Sequence, residues 1–191
     1  MGRLVLIMLD SCCTALEAHR AALTQPVLMS RFYAEGMPPE TPVLDDTLSS
    51  AATSAAARWV SADSGSIPLA VMREQWDAWS SNQKCFMLDK MLEMLETGSG
   101  QMSVATLESM QALYGLAGVT NSEIRFRWCT LCLRAGASFI LPTVIEMLST
   151  QGRMKFTRPL YRDLIKSSAP GAASAARNTF KRQVSVHALA R

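Results

Sequence analysis

Histidine is almost missing from this chain of 191 residues: His19 and His187 are its two, at opposite ends. An HExxH helix, which aims two imidazoles from successive turns at one metal, is therefore excluded. A GxSxG nucleophile elbow, a Walker loop and a GxGxxG fingerprint are absent as well. Hydrolysis at neutral pH needs an activated water or nucleophile, and no motif for either is present. Long apolar runs are missing too. Leu4 to Leu9, ended by Asp10, is six residues and too short to cross a bilayer; no signal-type cleavage site follows it. The expectation is a cytoplasmic chain that does not enter a membrane. Cysteine is sparse, odd in number and irregularly spaced (Cys12, Cys13, Cys85, Cys129, Cys132), which describes reduced thiols rather than a disulfide framework.

What is present describes an ordinary globular chain, 49% apolar and 18% charged. The net charge of +3 conceals an asymmetry: residues 1–152 carry 10 Lys/Arg against 15 Asp/Glu, whereas residues 153–191 carry 9 against 1. A basic block of this kind can meet nucleic acid, an anionic lipid surface, an acidic neighbouring domain or a substrate carboxylate, and composition does not choose among them.

The patterning is helical throughout. Residues 3–23 read as a helix. Residues 25–45, with Pro26, Pro38, Pro39, Pro42 and Gly36, read as an extended connection. Thr47–Val60 is an Ala-rich helix, and 61–68 a loop. Helices follow over 69–79 and 81–96, the latter with Ser80 and Gln83 at capping-box spacing and Cys85, Leu88, Leu92 and Leu95 on one face. Ser103–Leu113 is the next, facing inward with Val104, Leu107 and Met110. Thr120 and Glu123 form a second capping-box pair, opening a helix with Ile124, Trp128 and Leu131 inside and Gly136 as its stop. Residues 138–150 continue the series, broken near Pro142. Thr157 is expected to cap a helix through Ile165, with Pro159 in its first turn, and a last helix covers about 172–185. Helices of ten to fifteen residues with short polar joints predict an all-α fold of paired antiparallel helices.

Four constellations could carry chemistry. Cys129 and Cys132 form one CxxC inside a helix, without the two further ligands a structural zinc requires; two small buried side chains account for it. Arg125 and Arg127 alternate with Phe126 and Trp128, but helical neighbours splay around the axis and give no stacking platform for bases. Methionines such as Met87, Met91 and Met94 sit at core spacing. The richest stretch is Gln151-Gly152-Arg153-Met154-Lys155-Phe156-Thr157-Arg158. In an extended segment Arg153 and Lys155 would point the same way and could meet one carboxylate, Arg through its planar fork and Lys as a point charge. Spacing alone leaves a solvated basic loop as the default reading.

Asn121-Ser122-Glu123-Ile124-Arg125-Phe126-Arg127-Trp128, followed by Gln151 through Leu160, resembles the C-terminal domain of the leukotriene-A(4) hydrolase and aminopeptidase B family of zinc aminopeptidases. Gly36-Met37-Pro38-Pro39 and the Thr47–Trp59 segment fit the same pattern in the same order, so the resemblance covers roughly residues 32–185. It divides the chain into an unmatched segment, 1–30, and a helical C-terminal domain, 31–191. It implies a right-handed α-α superhelix of the armadillo or HEAT kind that closes over a catalytic domain. It implies that Arg153 and Lys155 recognise the free C-terminal carboxylate of a short peptide substrate. The family's zinc ligands belong to a preceding catalytic domain, so this chain is expected to hold no zinc and to cleave nothing alone. Its expected partners are that zinc-bearing domain and the peptide, not nucleic acid or a membrane. The rival reading is a non-catalytic helical scaffold that uses the same superhelix to bind other proteins.

Overall fold

Ala52, Ala55 and Ala56 share one buried face of the helix Thr47–Ser61 (α1), and they let a second helix approach its backbone closely. That second helix is Ser81–Glu96 (α3), and α1 against α3 is an extensive packing in this computed structural model. The structure describes residues 46–61, 69–98 and 100–189, with Tyr33 alone before them. The expected helix over 3–23, the connection over 25–45 and the body of the 61–68 loop lie outside the described residues. The chain divides into two compact units, and all the helices named here belong to the second, which begins at Asp46.

The remaining helices are Leu69–Ala78 (α2), Val104–Tyr114 (α4), Ser122–Arg134 (α5), Leu141–Thr150 (α6), Met154–Lys166 (α7) and Ala172–Leu189 (α8), with 3-10 turns at Leu116–Gly118 and Ser138–Ile140. No strand occurs among the described residues. Helices two apart in sequence pack on one another: α1 on α3, α3 on α5, α5 on α7, and in a second row α2 on α4 and α6 on α8. This two-row arrangement is an all-α superhelical domain, as the patterning and the resemblance predicted. Its core runs along the first row, where Trp59, Met87, Leu88, Met91, Trp128 and Leu131 are fully enclosed.

Some local signals act as expected and others do not. The capping box at Ser80 and Gln83 is present: Gln83 N–H donates to Ser80 Oγ at 3.3 Å, and Ser80 N–H donates back to Gln83 Oε1 at 3.1 Å. Gly136 ends α5 at φ 75° in a Schellman turn, with Ala137 N–H donating to Cys132 O at 2.9 Å and Gly136 N–H to Leu133 O at 3.1 Å. The second predicted capping box does not form. Asn121 caps α5 instead, accepting from Glu123 N–H at 2.9 Å, because the Glu123 carboxylate is engaged by two cations. On α3 the expected face of Cys85, Leu92 and Leu95 is only half-buried. Met87, Leu88 and Met91 are its centre, since α3 lies between α1 and α5. Val104 is exposed in the first turn of α4. The break expected near Pro142 is the junction of the 3-10 turn Ser138–Ile140 with α6, and Pro142 sits in the first turn of α6, where its missing N–H costs no hydrogen bond.

The largest correction concerns α7. It starts at Met154, with Arg153 as N-cap, one turn before the predicted cap at Thr157. Pro159 thus lies inside the helix rather than in its first turn, and one intrahelical hydrogen bond is given up. Phe156, Leu160 and Leu164 recur at i, i+4 and i+8 and are all buried, which holds α7 helical across the proline.

Candidate functional site

The start of α7 carries both residues singled out as a carboxylate anchor. Gln151 closes α6 by donating its N–H to Met147 O at 2.9 Å, and its side-chain amide donates to Ser122 Oγ at 3.2 Å. The short joint 151–152 is thereby tied to the first turn of α5. A side chain at Gly152 would meet nothing within 4 Å, so the space before Arg153 is open.

Arg153 and Lys155 are not in an extended segment, so the i, i+2 geometry expected from the sequence does not hold. One is the cap of α7 and the other lies in its first turn. What brings them together is Phe156. The Arg153 guanidinium carbon lies 5.8 Å from the centroid of that ring, and Lys155 Nζ lies 5.3 Å from it. Phe156 is buried and leans on Phe126 of α5 at 5.4 Å between centroids, so the pedestal under both cations is fixed by the core.

The electrostatics continue across three helices. Lys155 Nζ donates to Glu123 Oε1. Glu123 Oε2 accepts from Arg127 Nη1 at 2.8 Å, and Arg127 Nε donates to Asp89 Oδ1 at 2.7 Å. An alternating chain of charges, Asp89, Arg127, Glu123, Lys155, thus links α3, α5 and α7. The hydrogen bonds from Lys155 and then Arg127 hold the Glu123 carboxyl below its ordinary range. Counting Arg153, this cluster has three cations and two carboxylates, a net charge of +1. Arg153 has no ion pair among the described residues and is exposed. Among the described residues no side chain caps α7, so the first-turn N–H groups and the positive end of its dipole add to the potential there. Two side-chain cations and an uncapped helix start form a site suited to a carboxylate.

Sequence reasoning missed Glu123, Phe126 and the uncapped terminus as parts of this site. Glu123 lies 32 residues from Lys155, and only tertiary packing joins them. Elsewhere the bland readings hold. Cys129 and Cys132 are fully buried, and burial pushes the Cys129 thiol up to about 12. Trp128 is enclosed in the core, while Arg125 pairs with Glu146 at 2.5 Å. Among the described residues no three His, Cys, Asp or Glu side chains are placed to hold a metal ion. No helix among them is long and apolar enough to cross a membrane.

The fold defines a superhelical all-α domain that carries two cationic side chains, Arg153 and Lys155, at the start of one helix. Residues 79–191 match the family model described as "Leukotriene A4 hydrolase, C-terminal", and the chain belongs to that family. It is similar to leukotriene A-4 hydrolase of Xenopus laevis, 42% identical over 135 residues, which is 69% of this chain and 21% of that protein. It is also similar to leucine aminopeptidase 2 of Aspergillus clavatus, 33% identical over 138 residues, covering 71% of this chain and 21% of that protein. The chain spans about a fifth of the length of these curated relatives.

Proposed function

We propose that this chain is an accessory domain of a zinc-dependent aminopeptidase of the cytoplasm, closing over the catalytic cleft and recognising the free C-terminal carboxylate of short peptides. The convergence of Arg153 and Lys155 over the Phe156 ring at the uncapped start of α7 carries this reading. Arg153, exposed and without an ion pair among the described residues, offers a planar fork to the incoming carboxylate. Lys155 supplies a second charge, which Glu123 must share. The catalytic zinc belongs to a separate domain of the family, which supplies the activated water. This domain's residues bind and orient: a peptide fixed at its carboxyl end presents its amino end at a set distance, so the anchor selects length and position without activating the nucleophile.

The test joins this domain to the catalytic portion of an aminopeptidase of the family and compares a tripeptide free acid with its C-terminal amide. The free acid is expected to have the lower KM, with the preference lost in Arg153→Ala. Equal treatment of both peptides by the wild type would remove the carboxylate role.

A further inference from the structure

We infer that the outer face of α7 and α8 is a docking groove for a partner α-helix with an apolar stripe and acidic flanks. In the two rows of this domain each helix packs on the one two positions away, and α7 rests on α5 through its Phe156 side. The opposite flank of α7 is laid out in the same way. Met154, Thr157, Arg158, Tyr161, Arg162 and Ile165 follow one another at i, i+3, i+4, i+7, i+8 and i+11, a single helical face. All six line a groove of about 1040 Å³ between α7, the end of α6 and α8, which contributes Phe180.

A helix face on which nothing packs is ordinarily polar. This one is not. Met154, Ile165 and Phe180 are 62%, 61% and 57% exposed, and Val184 one turn beyond Phe180 is 50% exposed. These four are most of the large apolar side chains exposed among the described residues, and they cluster on two adjacent helices. Tyr161 and Gln183 floor the groove, locked by a 2.8 Å hydrogen bond from Tyr161 Oη to Gln183 Oε1. The groove is therefore formed before anything enters it.

Charge chooses the occupant. Arg158, Arg162, Arg177 and Arg182 line the groove, and no Asp or Glu does. A groove lined by Met154, Ile165 and Phe180 together with four arginines fits a helix whose apolar stripe is bordered by Asp and Glu, the helix-in-groove mode of recognition. A nucleic acid would meet the arginines but leave the apolar stripe unused. An anionic membrane surface would leave the depression between the helices unfilled. One end of the groove is Gln151-Gly152, the joint before Arg153, so the docked helix would end beside the carboxylate anchor.

The experiment uses the full chain and fluorescence anisotropy of labelled probe peptides, each five turns of helix long. One carries a leucine stripe flanked by glutamates, a second has lysines in their place, and a third has a central proline. Vesicles of phosphatidylcholine with phosphatidylserine and a short single-stranded RNA form two further arms. The glutamate peptide is expected to bind, at least tenfold more weakly to Ile165→Ser/Phe180→Ser and to Arg158→Glu/Arg182→Glu. All four positions lie at the surface or groove rim, and unchanged circular dichroism melting confirms that the variants fold. Lysine and proline peptides are expected to bind at least tenfold more weakly than the glutamate peptide. Absence of glutamate-peptide binding up to millimolar protein would overturn the inference. So would equal binding of the lysine or proline peptide, indifference to both double variants, or capture of vesicles or RNA alone.

Discussion

Lys155 at the start of α7 donates to Glu123 on α5, so one of the two cations proposed to meet a substrate carboxylate is already paired inside the domain. Glu123 has Arg127 as a second partner at 2.8 Å and can keep that bond while Lys155 turns to another anion. Under the proposed function Glu123 would compete with the substrate without being left unpaired. Glu123→Gln raises the net charge of the cluster by one and is expected to lower the KM for a free-acid peptide by about two- to fivefold, as a half-exposed pair is worth ~0.2–1 kcal/mol. The amide peptide should be unaffected. A rise in free-acid KM would instead make Glu123 the residue that positions Lys155.

The same carboxylate predicts a pH effect on stability. Its folded pKa is depressed by Lys155 and Arg127, so its contribution is present above the unfolded-state value of about 4.3 and is lost as pH falls through the folded value. Burial acts in the opposite sense on Asp163, whose carboxyl is raised, so the difference between wild type and Glu123→Gln is the quantity to read. The wild type should melt higher near pH 6, with the gap closing below about pH 4. A gap independent of pH would contradict the pairing.

Tyr114 is enclosed by two tryptophans: Trp59 Nε1 donates to its hydroxyl at 2.8 Å, and Trp76 stacks on its ring at 4.4 Å. Burial raises the Tyr114 hydroxyl to about 12, offset in part by the Trp59 bond. Tyr114→Phe keeps the stacking and strands a buried N–H, so it is expected to cost about 1–3 kcal/mol in denaturant unfolding. A loss below about 0.5 kcal/mol would mean that Trp59 finds another acceptor.

Gly100 has a packing reason. A Cβ there would overlap Cγ1 of Val60, which is buried at the end of α1. Gly100→Ala should lower the melting temperature by several degrees, consistent with the roughly 1–3 kcal/mol typical of overpacking. Combining it with Val60→Ala should restore part of the loss, whereas simple addition of the two losses would count against the clash.

The fold was legible from periodicity because apolar spacing of three and four recurs with clear stops, and Ser80 and Gly136 act locally. The start of α7 was misread because Thr157 followed by Pro159 imitates a helix opening, while the anchoring residues Phe156, Leu160 and Leu164 take effect only once a core exists. At the site, Arg153 and Lys155 were visible as residues, and the resemblance supplied the role proposed for them. The device that gathers them was not visible. Phe156 as a shared pedestal, Phe126 beneath it and the charge chain to Asp89 are contacts between helices, on which local spacing is silent.

The most direct measurement of the carboxylate role is a double-mutant cycle between protein and substrate. It would pair wild type and Arg153→Ala, in the assembled aminopeptidase, with a tripeptide as free acid and as C-terminal amide. If the guanidinium binds the carboxylate, Arg153→Ala should reduce kcat/KM for the free acid at least tenfold and leave the amide nearly unchanged, a coupling of about 1.4 kcal/mol or more. Equal losses on both peptides would give no coupling and would contradict the assignment of Arg153 as the carboxylate anchor.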